Sequence, residues 1–402
     1  MGTIHYEEYL VNSQLLHPTI QRFINENLQN DVQKLLLSNK KIEHVSIKEI
    51  VKQIECKKKS KKKLPTWFET PNILYHKKIN IEQTSSEITA HYKAQLFSGE
   101  SMIDLTSGFG VDAYYFSKQF QHITLCERNN SLLEKVKHNY QQLDVSNASF
   151  YEGNSIEYLK SIQNPIDLIY VDPARRNEEQ KVFLLEDCMP NIIELQSLLF
   201  EKSHRILIKL SPLFDIKELT RKLKGIKTIY IIAIKNEVKE LLVELEKDYK
   251  QETTIVCENL ETSQPTFTYS INTLSSTIHY ASEVASFLYE PNAAIYKSGA
   301  FNLIATQFDL KKLAQNSHLY TSDVVVKDFP GKIYKVNTLL NPQTKTLKKA
   351  LNQTHYNIIS RNYPLKVAEI KKKYKLLEGG VDFIIFTQIK SKKIALLCER
   401  FS

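Results

Sequence analysis

The sequence predicts an α/β fold organised on a mostly parallel sheet, and three observations carry that prediction. Residues 102–116, Met-Ile-Asp-Leu-Thr-Ser-Gly-Phe-Gly-Val-Asp-Ala-Tyr-Tyr-Phe, read as a short buried strand, a glycine turn over 106–110 and the opening of a helix. From 100 to about 255, strand candidates at 102–105, 122–126, 148–151, 167–171, 205–210, 228–234 and 254–257 alternate with helical stretches such as 129–143, 179–202 and 237–249. Such alternation implies seven strands, mostly parallel, with both faces covered by helices. Third, the second strand candidate ends in Glu127, 17 residues after Gly110. An acid at that place can accept both hydroxyls of a ribose.

Each part of the first βα unit has a physical reason. Gly108 and Gly110 remove two Cβ atoms where the chain turns and a ligand would approach the backbone, and Ala113 keeps the helix close to the strand. An ordinary strand-turn-helix with helpful glycines, and a Glu127 that is only a solvated strand-end acid, explain the same residues. A nicotinamide enzyme would satisfy the pattern too. Two details point elsewhere. Asp104 lies before the turn, where a carboxylate repels a pyrophosphate but suits the ammonium of a bound amino acid. The fourth strand candidate, in Asp-Leu-Ile-Tyr-Val-Asp-Pro-Ala-Arg-Arg over 167–176, runs into Asp172-Pro173.

On these residues, 80–255 resemble the class I S-adenosylmethionine-dependent methyltransferases, which implies a Rossmann-like domain with S-adenosyl-L-methionine as cofactor. The resemblance implies that Asp104, Thr106, Gly108 and Gly110 hold the cofactor's methionine part. It places the ribose at Glu127 and the adenine near Asn154 and Ser155, which follow the third strand, and Arg128 is a further candidate for cofactor binding. Asp172-Pro173 resembles the Asp/Asn-Pro-Pro-aromatic motif of amino-group methyltransferases. An exocyclic amine is a poor nucleophile, and an acceptor such as Asp172 with the Pro173 carbonyl can hold its hydrogens and aim its lone pair. The chain departs from that motif at Ala174 and at Arg175, which replaces the base-stacking aromatic residue. Arg175 and Arg176 therefore read either as phosphate or base contacts or as a surface salt-bridge cluster with Glu178 and Glu179. Lys209 and Ser211, after the fifth strand, fall on the substrate side, unless the lysine pairs a structural acid.

The flanks are read in chain order. Residues 7–54 show helical spacing and suggest a small helical domain over 1–64, before a methyltransferase domain over 65–260. Residues 57–63 hold six lysines, either a solvated linker or an arm for nucleic-acid phosphates. Residues 82–94 carry a helix-start signature, with Thr84 or Ser85 as cap and Glu87 in the first turn. The position resembles that of the entry helix closing over the methionine end of the cofactor in several RNA methyltransferases, which implies Gln83, Ser85, Ser86 and Thr89 as second-line contacts, while a simple capped helix explains the same residues. A net charge of +9 favours anionic partners without naming one. The five cysteines are far apart, with neither disulfide nor zinc spacing, and no metal is expected. No signal core or membrane-length apolar run is present, so a cytoplasmic protein is expected.

The C-terminal part reads as α+β modules over 261–330 and 331–402. Strand patterns occur at 333–336, 356–360, 383–387 and 394–398, with helices at 343–352 and 364–374. Ile-Ile-Ser-Arg-Asn-Tyr-Pro-Leu over 358–365, followed by Glu378-Gly379-Gly380, resembles the C-terminal THUMP-like module of a bacterial family that joins it to a class I methyltransferase domain. The middle module resembles that family's ferredoxin-like domain. Together these resemblances imply methylation of structured RNA, tRNA or rRNA, at a base amino nitrogen, with Arg361 and neighbouring lysines touching the RNA. DNA or protein methylation, and a non-catalytic cofactor-binding assembly factor, are the alternatives.

Overall fold

A computed structural model describes residues 13–37, 41–175, 184–273, 278–351 and 354–401. The chain forms two compact units, Met1–Ile226 with Val243–Lys250, and Lys227–Leu242 with Gln251–Ser402.

In the first unit, the strand Gly99–Asp104 lies between Phe120–Glu127 and Leu168–Val171, parallel to both. Ala148–Glu152 extends the sheet beyond Phe120–Glu127, and Arg205–Leu210 extends it beyond Leu168–Val171, again in parallel. Chain order therefore reverses on either side of Gly99–Asp104. Strand ends diverge at such a point and leave a crevice at their carboxyl edge, where open α/β sheets take ligands. Leu168–Val171 is buried along its whole length, as a central parallel strand must be when both faces are covered.

The N-terminal helices pack into this unit. Ser46 caps the 17-residue helix Ile47–Lys63 by accepting from the Glu49 N–H. The lysine run expected as a linker or arm is the end of that helix. Its inward face leaves Lys57 9% and Ser60 0% exposed; Lys57 bonds Asn25, and the Ser60 hydroxyl lies 3.0 Å from the Tyr75 hydroxyl. One face of the run is thus packed, which a free linker would not be.

Gln53 makes two hydrogen bonds to the Tyr75 backbone, and the Tyr75 ring stacks on Phe109 of the glycine turn at 5.9 Å. Trp67, fully buried, meets Tyr114 edge-on at 4.9 Å. The helix Ile47–Lys63 is therefore tied, through Tyr75, to the wall behind the glycine turn. Trp67→Ala should cost about 3–5 kcal/mol through lost area and the cavity left behind. Trp67→Phe should cost less than Trp67→Ala, because it keeps one ring and the indole N–H has no hydrogen-bond partner among the described residues to lose. Urea midpoints for the two variants check this.

Farther along the chain, Ile226–Ile234 and Glu237–Glu246 are joined by Lys235 and Asn236, both at positive φ. A helix was expected over 237–249, and a strand stands there instead. Its Glu, Leu and Lys content favours helix, but the two-residue left-handed turn reverses the chain and continuous burial from Glu240 to Leu245 overrides propensity. Thr254–Leu260 pairs in parallel with the Thr228–Ile234 segment, and Phe267–Ser270 returns antiparallel to it.

A seven-stranded mixed sheet follows in the order Lys311–Lys312, Tyr320–Ser322, Phe287–Pro291, Gly331–Leu340, Lys392–Arg400, Leu377–Ile389, His355–Ser360. Only the last neighbouring pair is parallel. Phe287–Pro291 pairs directly with Gly331–Leu340, so one sheet draws strands from both sides of position 330. The helices Thr344–Ala350 and Val367–Tyr374 occupy the predicted stretches, and Leu347, Ile370 and Tyr374 share an apolar cluster with Ile384 and Phe386.

Candidate functional site

The carboxyl edge of the parallel sheet in the first unit gathers several of the sequence-predicted groups. Asp104 ends its strand 1% exposed, in register with Leu125 and Tyr170. Its Oδ1 accepts from the Thr106 N–H at 2.9 Å and from the Thr106 hydroxyl at 3.4 Å. Burial pushes the Asp104 carboxyl well above the usual carboxylate range, and Asp112 and Asp172 push the same way against Thr106 and Lys209.

The turn that follows needs both glycines. Gly108 and Gly110 have φ of +53° and +77°. A Cβ on Gly108 would meet little, its nearest atom being the Thr106 carbonyl at 3.9 Å. A Cβ on Gly110 would lie 2.9 Å from Val136 and 3.0 Å from the Tyr140 ring. Gly110→Ala should therefore cost about 1–2 kcal/mol for left-handed backbone and about 1–3 kcal/mol for overpacking, read as a lower urea midpoint.

Glu127 is held over this turn. Its Oε2 accepts from the Gly108 N–H at 3.1 Å and its Oε1 from the Asn129 N–H at 2.8 Å. Beside it the Ser107 hydroxyl is buried with no hydrogen-bond partner among the described residues. Asn154 caps the helix Ser155–Ser161 through its Oδ1, and Ser155 is buried at that helix start. Arg128 has an exposed side chain.

Thr106 also acts toward the fourth strand, because its Oγ1 accepts from the Asp172 N–H at 2.7 Å. One hydroxyl thus ties the glycine turn to the Asp172-Pro173 step. The Asp172 carboxylate is 34% exposed and carries an ion pair to Lys209, Nζ to Oδ2 at 2.5 Å. Lys209 reads from the sequence either as a substrate-side group or as the partner of a structural acid; its ammonium is engaged with Asp172 and lies near Asp112. Ser211 Oγ accepts from the Leu213 N–H at 3.3 Å, a local turn bond. The backbone of Arg175 pairs with Cys188 in a two-residue strand, while Arg176 lies outside the described residues. Arg361 belongs to the second unit, where its guanidinium grips the buried Glu290 carboxylate at 2.6 Å.

Sequence reasoning missed three members of this cluster, Lys93, Asp112 and Tyr170. Lys93 is 0% exposed and lies 3.0 Å from Asp112 Oδ1, while Oδ2 accepts from the Tyr170 and Ser85 hydroxyls at 2.9 and 2.8 Å. Burial alone would raise the Asp112 carboxyl, but Lys93 and Lys209, with Ser85, hold it below its ordinary value. A signal existed: Lys93 falls between Ala90 and Ala94 on the helix face that must be buried. The cap expected at Thr84 or Ser85 is made by Ser86, which leaves the Ser85 hydroxyl for the cluster.

Comparison with known proteins follows this geometry. Residues 287–330 match the model of a ferredoxin-like domain and residues 331–400 that of a THUMP domain-like family. A crystal structure from Porphyromonas gingivalis W83, provisionally assigned as a methyltransferase, is 28% identical and superposes with a TM-score of 0.87 over 97% of this chain and 99% of that one. An uncharacterized RNA methyltransferase of Mycoplasma mobile is 28% identical over 189 residues, 46% of this chain and 50% of that protein. A Sulfurisphaera tokodaii protein, provisionally named a cobalt-precorrin-6B C(15)-methyltransferase, is 28% identical over 105 residues, 25% of this chain and 55% of that protein. The chain thus spans about half the length of these curated relatives. Taken with the strand order and the glycine turn, these matches place the chain among proteins that join a class I methyltransferase fold to a ferredoxin-like and a C-terminal THUMP-like domain.

Proposed function

We propose that the protein is an S-adenosylmethionine-dependent methyltransferase acting on structured RNA, at an amino nitrogen of a base. The observation that carries this reading is the Thr106 link between a cofactor-type glycine turn and Asp172-Pro173. The residues present fit the cofactor. Asp104 offers a buried carboxylate to an ammonium, Glu127 a fixed carboxylate to ribose hydroxyls, and Ser107 a buried hydroxyl without a partner among the described residues. Asn154 and Ser155 would border the adenine. When bound, the cofactor supplies an electrophilic methyl group.

The chain's own residues do the positioning. Asp172 accepts a hydrogen of the amine, the Pro173 carbonyl takes the other, and the lone pair is left facing the methyl. Carbon methylation of a pyrimidine ring calls for a protein nucleophile, usually an activated thiolate. All five cysteines are buried, and burial raises the Cys56 thiol to about 11 and pushes Cys126 up as well. That chemistry supports nitrogen over carbon as the acceptor. The THUMP-like region and the RNA methyltransferase relative support RNA as the substrate class.

The test is transfer of labelled methyl from S-adenosylmethionine to total RNA from a strain lacking this gene, with DNA and protein pools in parallel. Label in one RNA size class is the expected result. Label only in DNA or protein overturns the RNA assignment, and no label despite measured cofactor binding overturns the catalytic one.

A further inference from the structure

Lys209 stands at the carboxyl end of Arg205–Leu210, 8% exposed, among three oxygens. Its Nζ lies 2.5 Å from Asp172 Oδ2, 3.2 Å from Ser85 Oγ and 3.8 Å from Asp112 Oδ2. These partners are unequal. Asp112 already has a cation of its own in Lys93 at 3.0 Å and two hydroxyl donors, Ser85 and Tyr170. Ser85 donates to Asp112 and receives both ammonium groups, Lys93 at 2.9 Å and Lys209 at 3.2 Å. Among the described residues, the carboxylate oxygen nearest the Lys93 ammonium belongs to Asp112 and the one nearest the Lys209 ammonium to Asp172.

This arrangement bears on Asp172, the member nearest solvent. A carboxylate that is 34% exposed turns about its side-chain bonds unless something holds one oxygen. A lysine on a flexible four-carbon stem is a poor anchor by itself. Here the stem is buried, and the tip is fixed by Ser85, whose own position is fixed by Asp112 and Lys93. The lysine is thus a rigid strut running from a buried pair to a half-open acid.

We propose that Lys209 is a positioning residue that acts through Asp172: it clamps Oδ2 and leaves the other oxygen to receive the nucleophile's hydrogen. The proposal rests on Asp172 being the acceptor. It removes Lys209 from the groups that touch RNA. It also brings Ser85, Lys93 and Asp112 into the reaction as the frame that locates the clamp, although none of them reaches the substrate.

The experiment is a kinetic double-mutant cycle with Lys209→Met and Asp172→Asn, run beside Ser85→Ala. Misplacing a reacting group by about 1 Å costs roughly 100-fold in rate. Lys209→Met should therefore lower kcat about 100-fold, with the KM for RNA and the Kd for S-adenosylmethionine each within about threefold of wild type. Ser85→Ala, which loosens the clamp while keeping its charge, should lower kcat about tenfold by the same argument. The Lys209→Met/Asp172→Asn double variant should be no slower than Asp172→Asn alone, because the clamp has nothing left to position.

Additive losses, or a loss confined to the KM for RNA, would overturn the clamp. Should the wild-type protein transfer no methyl to RNA, the parent reading fails, and the pair is read from urea unfolding of the same four proteins. Non-additive destabilisation by Lys209→Met and Asp172→Asn then sustains the Lys209–Asp172 pairing, and additive destabilisation ends it.

Discussion

Asp172→Ala is expected to lower methyl transfer by roughly 10²–10⁴-fold, the range found for positioned proton acceptors, while the Kd for cofactor stays within a few-fold. The geometry separates the two effects. Asp172 is anchored through its N–H by Thr106, a bond that alanine keeps, so the turn that carries Asp104 and Glu127 is not disturbed. The side chain removed is 34% exposed, but its loss takes from the buried Lys209 its nearest carboxylate, leaving Asp112 at 3.8 Å and Ser85 at 3.2 Å, so some stability is lost and a urea midpoint is measured beside the kinetics. Single-turnover transfer measured at saturating cofactor, with a parallel binding titration, checks both halves. A variant that turns over normally takes Asp172 out of the mechanism. A variant that loses cofactor binding in step with transfer assigns the residue to the cofactor site.

The parts of this site that were legible in the sequence share one property: local chain chemistry dictates them. Gly108 and Gly110 announce left-handed backbone, and both have it. A carboxylate before the turn and another closing the second strand are fixed in place by strand register, since parallel neighbours end at one edge. Cap residues were legible to within a position, Ser86 against the expected Thr84 or Ser85.

What remained hidden depends on distant pairings. Lys93 and Asp112 are 19 residues apart, and Asp112 and Lys209 are 97 apart; nothing local says that one buried acid will be shared between them. The strand Glu237–Glu246 was concealed by its own composition, because helix-forming residues were placed where a sheet could bury them. The basic run over 57–63 hid its nature in the opposite way. Six lysines suggest solvent on all sides, yet Lys57 and Ser60 face the interior while Lys58, Lys59, Lys61 and Lys62 are exposed. Arg361 was read from its neighbours as an RNA contact, and its partner Glu290 lies 71 residues earlier in the chain.

Asp104→Asn is expected to move stability and ligand affinity in opposite directions. Asp104 is 1% exposed, its modest donors are the Thr106 N–H and hydroxyl, and burial holds its carboxyl well above the ordinary range. The folded protein therefore binds that proton more tightly than the unfolded chain does. Stability from this group is present at low pH and is lost as pH rises through the folded-state value. Asparagine has the same shape and no charge to desolvate, so the cofactor-free variant should melt higher than wild type at pH 8, the difference closing toward about pH 4, where unfolded carboxyls titrate. An ammonium ligand reverses the preference, because it needs the carboxylate ionised. A charge-assisted hydrogen bond contributes about 1.5–3 kcal/mol, so S-adenosylmethionine should bind the variant about 10- to 100-fold more weakly. Wild-type binding should strengthen as pH rises and release a proton; binding to the variant should release none from this position. Titration calorimetry in two buffers of different ionisation enthalpy measures that proton directly. Equal affinity and equal proton release in the two proteins would mean that the ammonium is held elsewhere, and a lower melting temperature for the variant would mean that the bonds to Thr106 outweigh the burial of the charge.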